Sequence, residues 1–544
     1  MMTKADPPYT PYKNRWIAVA RGRVVGVGKT ANRAWRAARL SCPKDRPVLL
    51  FVDESGMATA QPPSFDPWFE NNLLKQIAEI LHRQGQEAYL VGGAVRDGFL
   101  DDVRADGGDL DLIVPHSALR VARTLADELG AAYYPVDAER DVGRVVLSDH
   151  YHVDIASWRG DSLLEDLRHR DFTVNAMALS LNPNAPRLID PLNGQRDLQQ
   201  KRLRVASDDA IKDDPLRGAR GARQSFEFGF TLEAKTKDLI RAGSAAIQQV
   251  SPERLRDEMM KLMQVSRPGA AVDALYRLGL LAHILPETLP MIGVEQSPPH
   301  YLPVYEHSLL VMNNWPALAP LDDLRLAPLA PLKGALTDYF QTQLTGNLSR
   351  ASLMPLAALL HDIGKPDTGK RVDDGRIRFF GHPQAGAKIA RHILNRWRFS
   401  GQATRFVLSI VKYHMRPLLL AHQDGVSKRA IYRLIEAAGD ATPALAVFSL
   451  LDHLAIYPAG EGQAEWESLL GVVLKICQTY FAPKPPVLLT GKDIIQTLRI
   501  TPGPEIGRLL KKVKEAQAVG EISTREEALA LVIEQRSKGE GEQG

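Results

Sequence analysis

Two sets of residues in this chain have the types and spacing to work on phosphate. The first opens with Asp109-Leu110-Asp111, which runs into the apolar stretch Leu112-Ile113-Val114. Side chains alternate along a strand, so Asp109 and Asp111 project side by side from one face. Adjacent carboxylates repel, and such a pair makes sense when a cation is shared; hard oxygen ligands suit Mg²⁺. Asp154 offers a third carboxylate from the alternating segment Tyr151-His152-Val153-Asp154-Ile155-Ala156. Upstream, Leu90-Val91-Gly92-Gly93-Ala94-Val95-Arg96-Asp97 carries an apolar strand through paired glycines into a helix. Glycines there let backbone N–H groups approach a phosphate near a helix N-terminus. Asp109, Asp111 and Asp154 therefore read as catalytic carboxylates of a two-metal phosphoryl-transfer site, with Asp109 and Asp111 as ligands of two Mg²⁺ ions.

The second set is His361-Asp362, followed by Ile363-Gly364-Lys365-Pro366 at the end of an apolar helix, Leu353 to Leu360. With His307 upstream and Asp452 downstream it forms a His…His-Asp…Asp pattern. Mixed imidazole and carboxylate ligation suits a divalent transition metal, its identity open among Mn²⁺, Ni²⁺, Co²⁺, Fe²⁺ and Zn²⁺. A metal so held activates water toward a phosphate ester. His382 and His414 offer a second ion site or serve as satisfied core histidines.

The elements that must position these groups fall into several units, because 544 residues exceed one ordinary core. Residues 1–62 read as a small basic α/β module with strands Trp16 to Ala20, Arg23 to Gly28 and Pro47 to Val52, and a helix Asn32 to Leu40. Gly28-Lys29-Thr30 is no P-loop, since that motif needs glycine where Arg23 stands. Residues 67–205 alternate strand-like and helix-like stretches; 206–290 and 300–482 are helical; 483–544 form a helical tail. The fold class expected is multidomain α+β, with a mixed α/β head and all-α neck, body and second metal domain. Ser251-Pro252 reads as an N-cap serine with proline in the first turn. Asp213, Asp214 and Arg217, read as one helix, converge on a face. Their carboxylates accept from exocyclic amines, and the arginine donates to ring acceptors, a set able to recognise C and A.

The blocks resemble the bacterial-type (class II) CCA-adding tRNA nucleotidyltransferases and their poly(A) polymerase relatives. Gly92-Gly93-x-x-Arg96-Asp97, Asp109-x-Asp111, Arg170-Asp171-Phe172-Thr173-Val174-Asn175-Ala176-Met177, Asp190-Pro191-Leu192-Asn193-Gly194-Gln195-Arg196-Asp197-Leu198 and Asp213-Asp214-Pro215-Leu216-Arg217 carry the resemblance in order and spacing. It spans roughly residues 70–290, and the tail more loosely. The resemblance implies a polymerase-beta-like head adding CCA, or CC, to tRNA from CTP and ATP. It also implies nucleotide-binding roles for Gly92, Gly93, Arg96, Asp97, Arg170, Asp171, Asn175, Asp213, Asp214, Arg217 and Arg220. His307, His361, Asp362 and Asp452 resemble the ligand set of HD-domain phosphohydrolases. Three departures stand out: His169 replaces the family's first arginine, Asp213 replaces glutamate, and the connection after Arg159 is shorter than the loop tied to switching from C to A. The alternatives are a poly(A) polymerase, or an HD hydrolase with a non-catalytic head.

A net charge of +4 permits a nucleic-acid partner without requiring one. Basic residues cluster from Arg15 to Arg39 and at Lys511, Lys512 and Lys514. Two distant cysteines, Cys42 and Cys477, suit a reducing compartment, and no apolar run approaching a membrane span is read from the sequence. A cytoplasmic enzyme without a membrane partner is the expectation.

Overall fold

A computed structural model describes residues 9–20, 23–28, 34, 37–38, 48–52, 58–59, 72–100, 110–148, 151–184, 186–319, 321–423, 425–457 and 460–541. Asp109, Cys42 and most of the helix expected at Asn32 to Leu40 lie outside them. The chain divides into two compact units, residues 1–217 with 230–239, and residues 218–229 with 240–544.

In the first unit, β1 (Arg15–Ala20), β2 (Arg23–Gly28), β3 (Val48–Val52) and the unforeseen β4 (Ala58–Thr59) form a sheet in the order β2-β1-β3-β4. A seven-stranded sheet follows, built from β5 (Tyr89–Val91), β6 (Leu110–Val114), β7 (Ala132–Asp137), β8 (Val142–Ser148), β9 (Tyr151–Ser157), β10 (Ala178–Ser180) and β11 (Leu188–Ile189). Its order is β11-β10-β5-β6-β9-β8-β7, with β6 and β9 parallel and their neighbours antiparallel. The centre is apolar because β5, β6 and β9 bury Leu90, Val91, Leu112, Val114, Val153 and Ile155. The helix Ala118–Leu129 covers it with Val121, Ala122, Leu125 and Ala126, the spacing of one helical stripe. Asp141 caps this helix from a distance, accepting from Ala118 N at 2.8 Å and Leu119 N at 3.0 Å.

Two local expectations are corrected. Residues 210–217 are not one helix: Ala210–Asp213 ends at Asp214, which is extended (φ −147°, ψ 100°), and a new helix runs Leu216–Glu227. Pro215 is the cause, since proline disfavours helical geometry in the residue before it. Ser251 does occupy the N-cap of Pro252–Leu262, but its side chain makes no capping bond.

The second unit is helical. Val304–Leu318 packs on Arg350–Leu360 and Thr442–Ile456, and Gly401–Tyr413 packs on Arg350–Leu360. The Pro/Leu-rich insert contains the 3₁₀ segment Leu324–Leu332. Two small hairpins, Gln343–Thr345 with Leu348–Ser349 and Gly369–Arg371 with Ile377–Phe379, were not foreseen. Contrary to the sequence reading, one helical stretch, Lys428–Ile456, is long and apolar enough to cross a membrane; 72% of its apolar window is buried inside the protein. The tail helices Gly491–Leu498, Pro504–Val519 and Arg525–Gly541 enclose their own core of Leu489, Ile494, Leu509, Val513, Ile522 and Val532. The final helix continues to Gly541, beyond the fraying expected from Lys538.

Candidate active sites

Strand register assembles the head site. Asp111 on β6 lies directly beside Asp154 on β9, and Asp154 lies directly beside Arg144 on β8. Residues paired at one register point to the same face, so the two carboxylates and a guanidinium form a row. Arg144 holds Asp154 in a bidentate pair, Nε to Oδ1 at 2.7 Å and Nη2 to Oδ2 at 2.8 Å. No sequence signal marked Arg144, because strand pairing alone brings it there.

Gly92, between β5 and the helix it caps, takes a conformation open to glycine (φ 75°, ψ −139°). A Cβ at this position would lie 3.3 Å from both Asp111 Oδ2 and Arg170 Nη1. Backbone, carboxylate and guanidinium thus meet at the turn, a place where a phosphate and its cation fit together. Gly93 begins the following helix, Gly93–Phe99.

Behind the turn lies a linked set. Arg96 donates from Nε to Asp97 Oδ1 and from Nη1 to Asn175 Oδ1, both at 2.7 Å. Asn175 in turn donates to Asp171 Oδ1 at 2.9 Å, and the same oxygen accepts from Phe172 N at 2.8 Å. Arg96, Asp171 and Asn175 are buried. Their geometry is that of a support for the glycine turn.

The predicted base-reading residues are only partly brought together. Arg217 donates from Nη2 to the His169 carbonyl at 2.6 Å and from Nη1 to the Ala210 carbonyl at 3.0 Å. Asp213 lies 3.7 Å from His169 Nδ1, while Asp214 Oδ1 accepts from Leu216 N at 3.2 Å. His169, noted as a departure from the family pattern, is therefore the residue around which Arg217 and Asp213 gather. Arg220 belongs to the second unit, where it pairs with Glu258 at 3.8 Å.

The connection from Arg159 to Asp171 is short and tied down. Ser162 caps the helix Leu163–Arg168. Glu165 accepts from Asp161 N at 2.6 Å. Asp166, buried, takes Arg159 N on one oxygen at 3.1 Å and the Arg170 guanidinium on the other at 3.1–3.2 Å.

In the second unit the expected metal set converges from separate helices. His307 Nε2 lies 3.0 Å from Asp452 Oδ1 and 3.8 Å from Asp362 Oδ2. His361 Nε2 lies 3.1 Å from Asp362 Oδ2 and 3.7 Å from Asp452 Oδ1. His382 and His414 approach Asp362 Oδ1 at 3.3 and 3.6 Å, and their own Nε2 atoms are 3.2 Å apart. All four imidazoles turn Nδ1 to a backbone carbonyl, those of Ala455, Ala358, Phe379 and Val411, at 2.8–3.3 Å. That arrangement fixes the ring and aims Nε2 at the centre, the usual support for metal-ligating histidine. His361 Nε2 and both Asp362 oxygens are buried without a well-directed hydrogen bond, so the donor set fits a cation.

Electrostatics follow from burial opposed by pairing. Burial works against the Asp362 charge, but His361 and Lys365 outweigh it and hold the carboxyl well below its ordinary range. Burial likewise opposes ionisation of Asp452, and His307 and His361 overcome it. Burial pushes His414 down to about 3, reinforced by neighbouring His361. Two residues were not singled out from sequence. Lys365 is buried with Nζ 2.6 Å from Asp362 Oδ2 and donates to Gln296 at 2.6 Å. His300 packs edge-on to His307 at 5.2 Å and is pushed down to about 4 by burial and Lys365. The Gly-Lys-Pro following His-Asp was the signal available for the lysine.

A sheet-based carboxylate site beside a glycine turn, joined in one chain to a helical His/Asp centre, defines a nucleotidyltransferase with an HD domain. Family models agree: the poly(A) polymerase head domain matches residues 88–204, the RNA- and SrmB-binding site of polymerase A 229–292, the HD domain 304–456, and tRNA nucleotidyltransferase domain 2 residues 382–533. Residues 10–55 match a family of unknown function. An A-adding tRNA nucleotidyltransferase of Deinococcus radiodurans is 34% identical over 82% of this chain and 94% of its own length. A CC-adding tRNA nucleotidyltransferase of Thermus thermophilus is 31% identical over 82% of this chain and 93% of its own. A solved Thermotoga maritima CCA-adding enzyme, complexed with tRNA-CCA, shares the fold at TM-score 0.54 and 21% identity, covering 85% of this chain and 95% of that one. The chain belongs to the tRNA nucleotidyltransferase family.

Proposed function

We propose that this enzyme extends tRNA 3′ ends from CTP or ATP by one partial reaction, CC or the terminal A, rather than by the whole CCA sequence. The supporting observation is the pinned connection between Arg159 and Asp171. Adding two different bases in turn requires the pocket to change shape. A segment tied at Asp161, Asp166 and Arg170 suits a pocket that keeps one shape. The most similar relatives named above are an A-adding and a CC-adding enzyme, which fits a part reaction.

In this reading Asp109, Asp111 and Asp154 carry the transfer. Mg²⁺ there would draw the 3′-hydroxyl toward attack and neutralise departing pyrophosphate. Gly92, Gly93 and Arg170 receive the triphosphate, and Arg96, Asp97, Asp171 and Asn175 hold that turn in place. Arg217 and Asp213, gathered at His169, with Asp214 beside them, read the base edge; for Arg220 a nucleotide-binding role rests on the family resemblance alone. The domain limits read from sequence (1–62, 67–205, 206–290, 300–482 and 483–544) are kept, as is a cytoplasmic location, where tRNA would be met.

His307, His361, Asp362 and Asp452 would hold a divalent metal, with His382 and His414 beside it. Such a metal polarises phosphate esters and activates water. The second activity is then phosphate-ester hydrolysis.

Transcripts ending at the discriminator base, at C and at CC, each supplied with Mg²⁺ and labelled CTP or ATP, test the main reading. Extension of the first two to CC with none of the third, or A added only to the third, supports it. All three reaching CCA, long A tails on unrelated RNA, or no incorporation would each reject it.

A further inference from the structure

The row of side chains in the head does not stop at Arg144. Arg144 on β8 lies directly beside Tyr134 on β7, the last strand in the sheet's order. Asp111, Asp154, Arg144 and Tyr134 thus share one register line across four strands and point to one face. The neighbouring Tyr133 fixes which face that is. A Cβ at Gly143 would lie 3.2 Å from the Tyr133 ring and 2.7 Å from Ala122 of the covering helix, and the Arg123 guanidinium lies 5.9 Å from the same ring's centre. Tyr133 therefore packs under the helix Ala118–Leu129, and Tyr134 turns to the opposite, carboxylate-bearing face. Tyr134 is 57% exposed there. Pro135 and the bulge between Pro135 and Asp137 spoil β7 as a partner for another strand, so pairing of sheet edges does not account for the open ring.

Adjacent strands lie about 4.8 Å apart, which sets Tyr134 roughly 10 Å along the row from Asp154. The glycine turn proposed to receive the triphosphate lies at the other end, since β5 pairs with β6 on the side away from β9. In phosphoryl transfer the attacking and leaving oxygens stand roughly in line, on opposite sides of the phosphorus. With the triphosphate at Gly92, the attacking RNA end comes from the side of Arg144 and Tyr134. A nucleotide whose 3′-hydroxyl sits at the carboxylates then carries its base toward the open Tyr134 ring. Every base has a π face, so one aromatic ring serves whichever nucleotide ends the chain. We infer that Tyr134 is the stacking platform for the terminal base of the RNA being extended, and that it holds the 3′-hydroxyl toward Asp111 and Asp154. This role rests on the reading of those aspartates as the transfer site.

The test uses the full chain and tRNA transcripts ending at C and at CC, each with 5-iodocytidine as its terminal nucleotide. On irradiation this base crosslinks to aromatic rings stacked on it, and mass spectrometry maps the peptide. A crosslink at Tyr134 is expected with whichever transcript the enzyme extends. Tyr134→Ala should lose it and lower kcat/KM for tRNA about 5–20-fold, within the range for one stacked base, while the KM for the triphosphate stays as in the wild type. Tyr134→Phe keeps the ring and should restore kcat/KM to within about twofold. Thermal melting midpoints of both variants should match the wild type, because the ring is exposed. A terminal-base crosslink elsewhere, an unchanged kcat/KM in Tyr134→Ala, or a raised triphosphate KM in its place would each overturn the assignment. So would a wild-type dimer that Tyr134→Ala dissociates in sedimentation, which would give the ring to a second copy of the chain. Asp111→Ala separates this role from the reading beneath it. Undiminished addition in Asp111→Ala, with the Tyr134 crosslink present, would sink the transfer-site reading and keep the stacking site; addition lost in Asp111→Ala, with no Tyr134 crosslink in the wild type, would do the reverse.

Discussion

The head and the HD centre hold carboxylates in opposite ways. In the head, Asp154 keeps 23% of its side chain exposed and is clamped by an arginine on the next strand. In the HD centre, Asp362 and Asp452 keep 1% and 4% and face imidazoles already locked by backbone carbonyls. Burying such charges is costly unless they are paired, so the HD set is arranged to retain a metal. The head offers few protein ligands on an accessible sheet face. A hard cation such as Mg²⁺ would keep several waters there and be shared with substrate phosphates, so under the proposed function this site would be completed by what it binds. In the proposed reading, one centre is furnished in advance and the other would be finished by its substrate.

The largest expected effect separates the two. Asp111→Ala should lower nucleotide addition at least ~10³-fold, because a lost metal ligand removes several kcal/mol of charge stabilisation. Phosphate release should be unchanged. Conversely, His361→Ala should reduce the tightly bound transition metal, read by elemental analysis after dialysis, by an amount consistent with the ~10–100-fold loss seen even when supporting groups are removed.

Base selection should respond less. Arg217→Ala is expected to narrow the preference for the correct triphosphate by about 5–100-fold, as ~1–3 kcal/mol of edge recognition is lost. Competition between CTP and ATP reads this directly, and an unchanged ratio would place base selection elsewhere. Arg144→Ala sharpens the comparison further. The pair is partly exposed and worth about 0.5–1 kcal/mol, so releasing Asp154 should lower the half-saturating Mg²⁺ by roughly two- to fivefold. An unaltered Mg²⁺ profile would assign Asp154 to Arg144 rather than to the cation.

The smallest effect is on stability. Asp141→Ala removes a cap from the helix Ala118–Leu129 and should cost about 1–2 kcal/mol in denaturant unfolding of the head. Burial acts against the Asp141 charge, but bonds from Ser157, Leu119 and Ala118 hold its pKa below the ordinary value. The cap's contribution is thus present above the usual carboxylate range and fades as pH falls through it and below.

Both clusters were legible in the sequence because their candidate residues come in short runs. Asp109-Leu110-Asp111 and His361-Asp362 announce themselves, and strand alternation puts Asp154 on a usable face. Partners supplied by register or tertiary approach were not legible. Arg144 reaches Asp154 only through β8 pairing with β9, and His300 reaches His307 only by loop packing. The single helix expected through Asp213, Asp214 and Arg217 does not form because Pro215 holds Asp214 extended, a local constraint that overrides helical spacing. The hairpins of the second unit were missed because two- and three-residue strands carry no periodic signal long enough to read.

The claim that the chain houses two separately furnished centres is tested most directly by one paired assay. Incorporation of labelled CTP or ATP into tRNA and release of phosphate from a phosphomonoester would be measured side by side in the wild type, Asp111→Ala and His361→Ala. Crossed loss is the predicted result, with Asp111→Ala silent in the first assay and His361→Ala silent in the second. If either substitution abolished both activities in a folded protein, or if neither changed its own, the account would be contradicted.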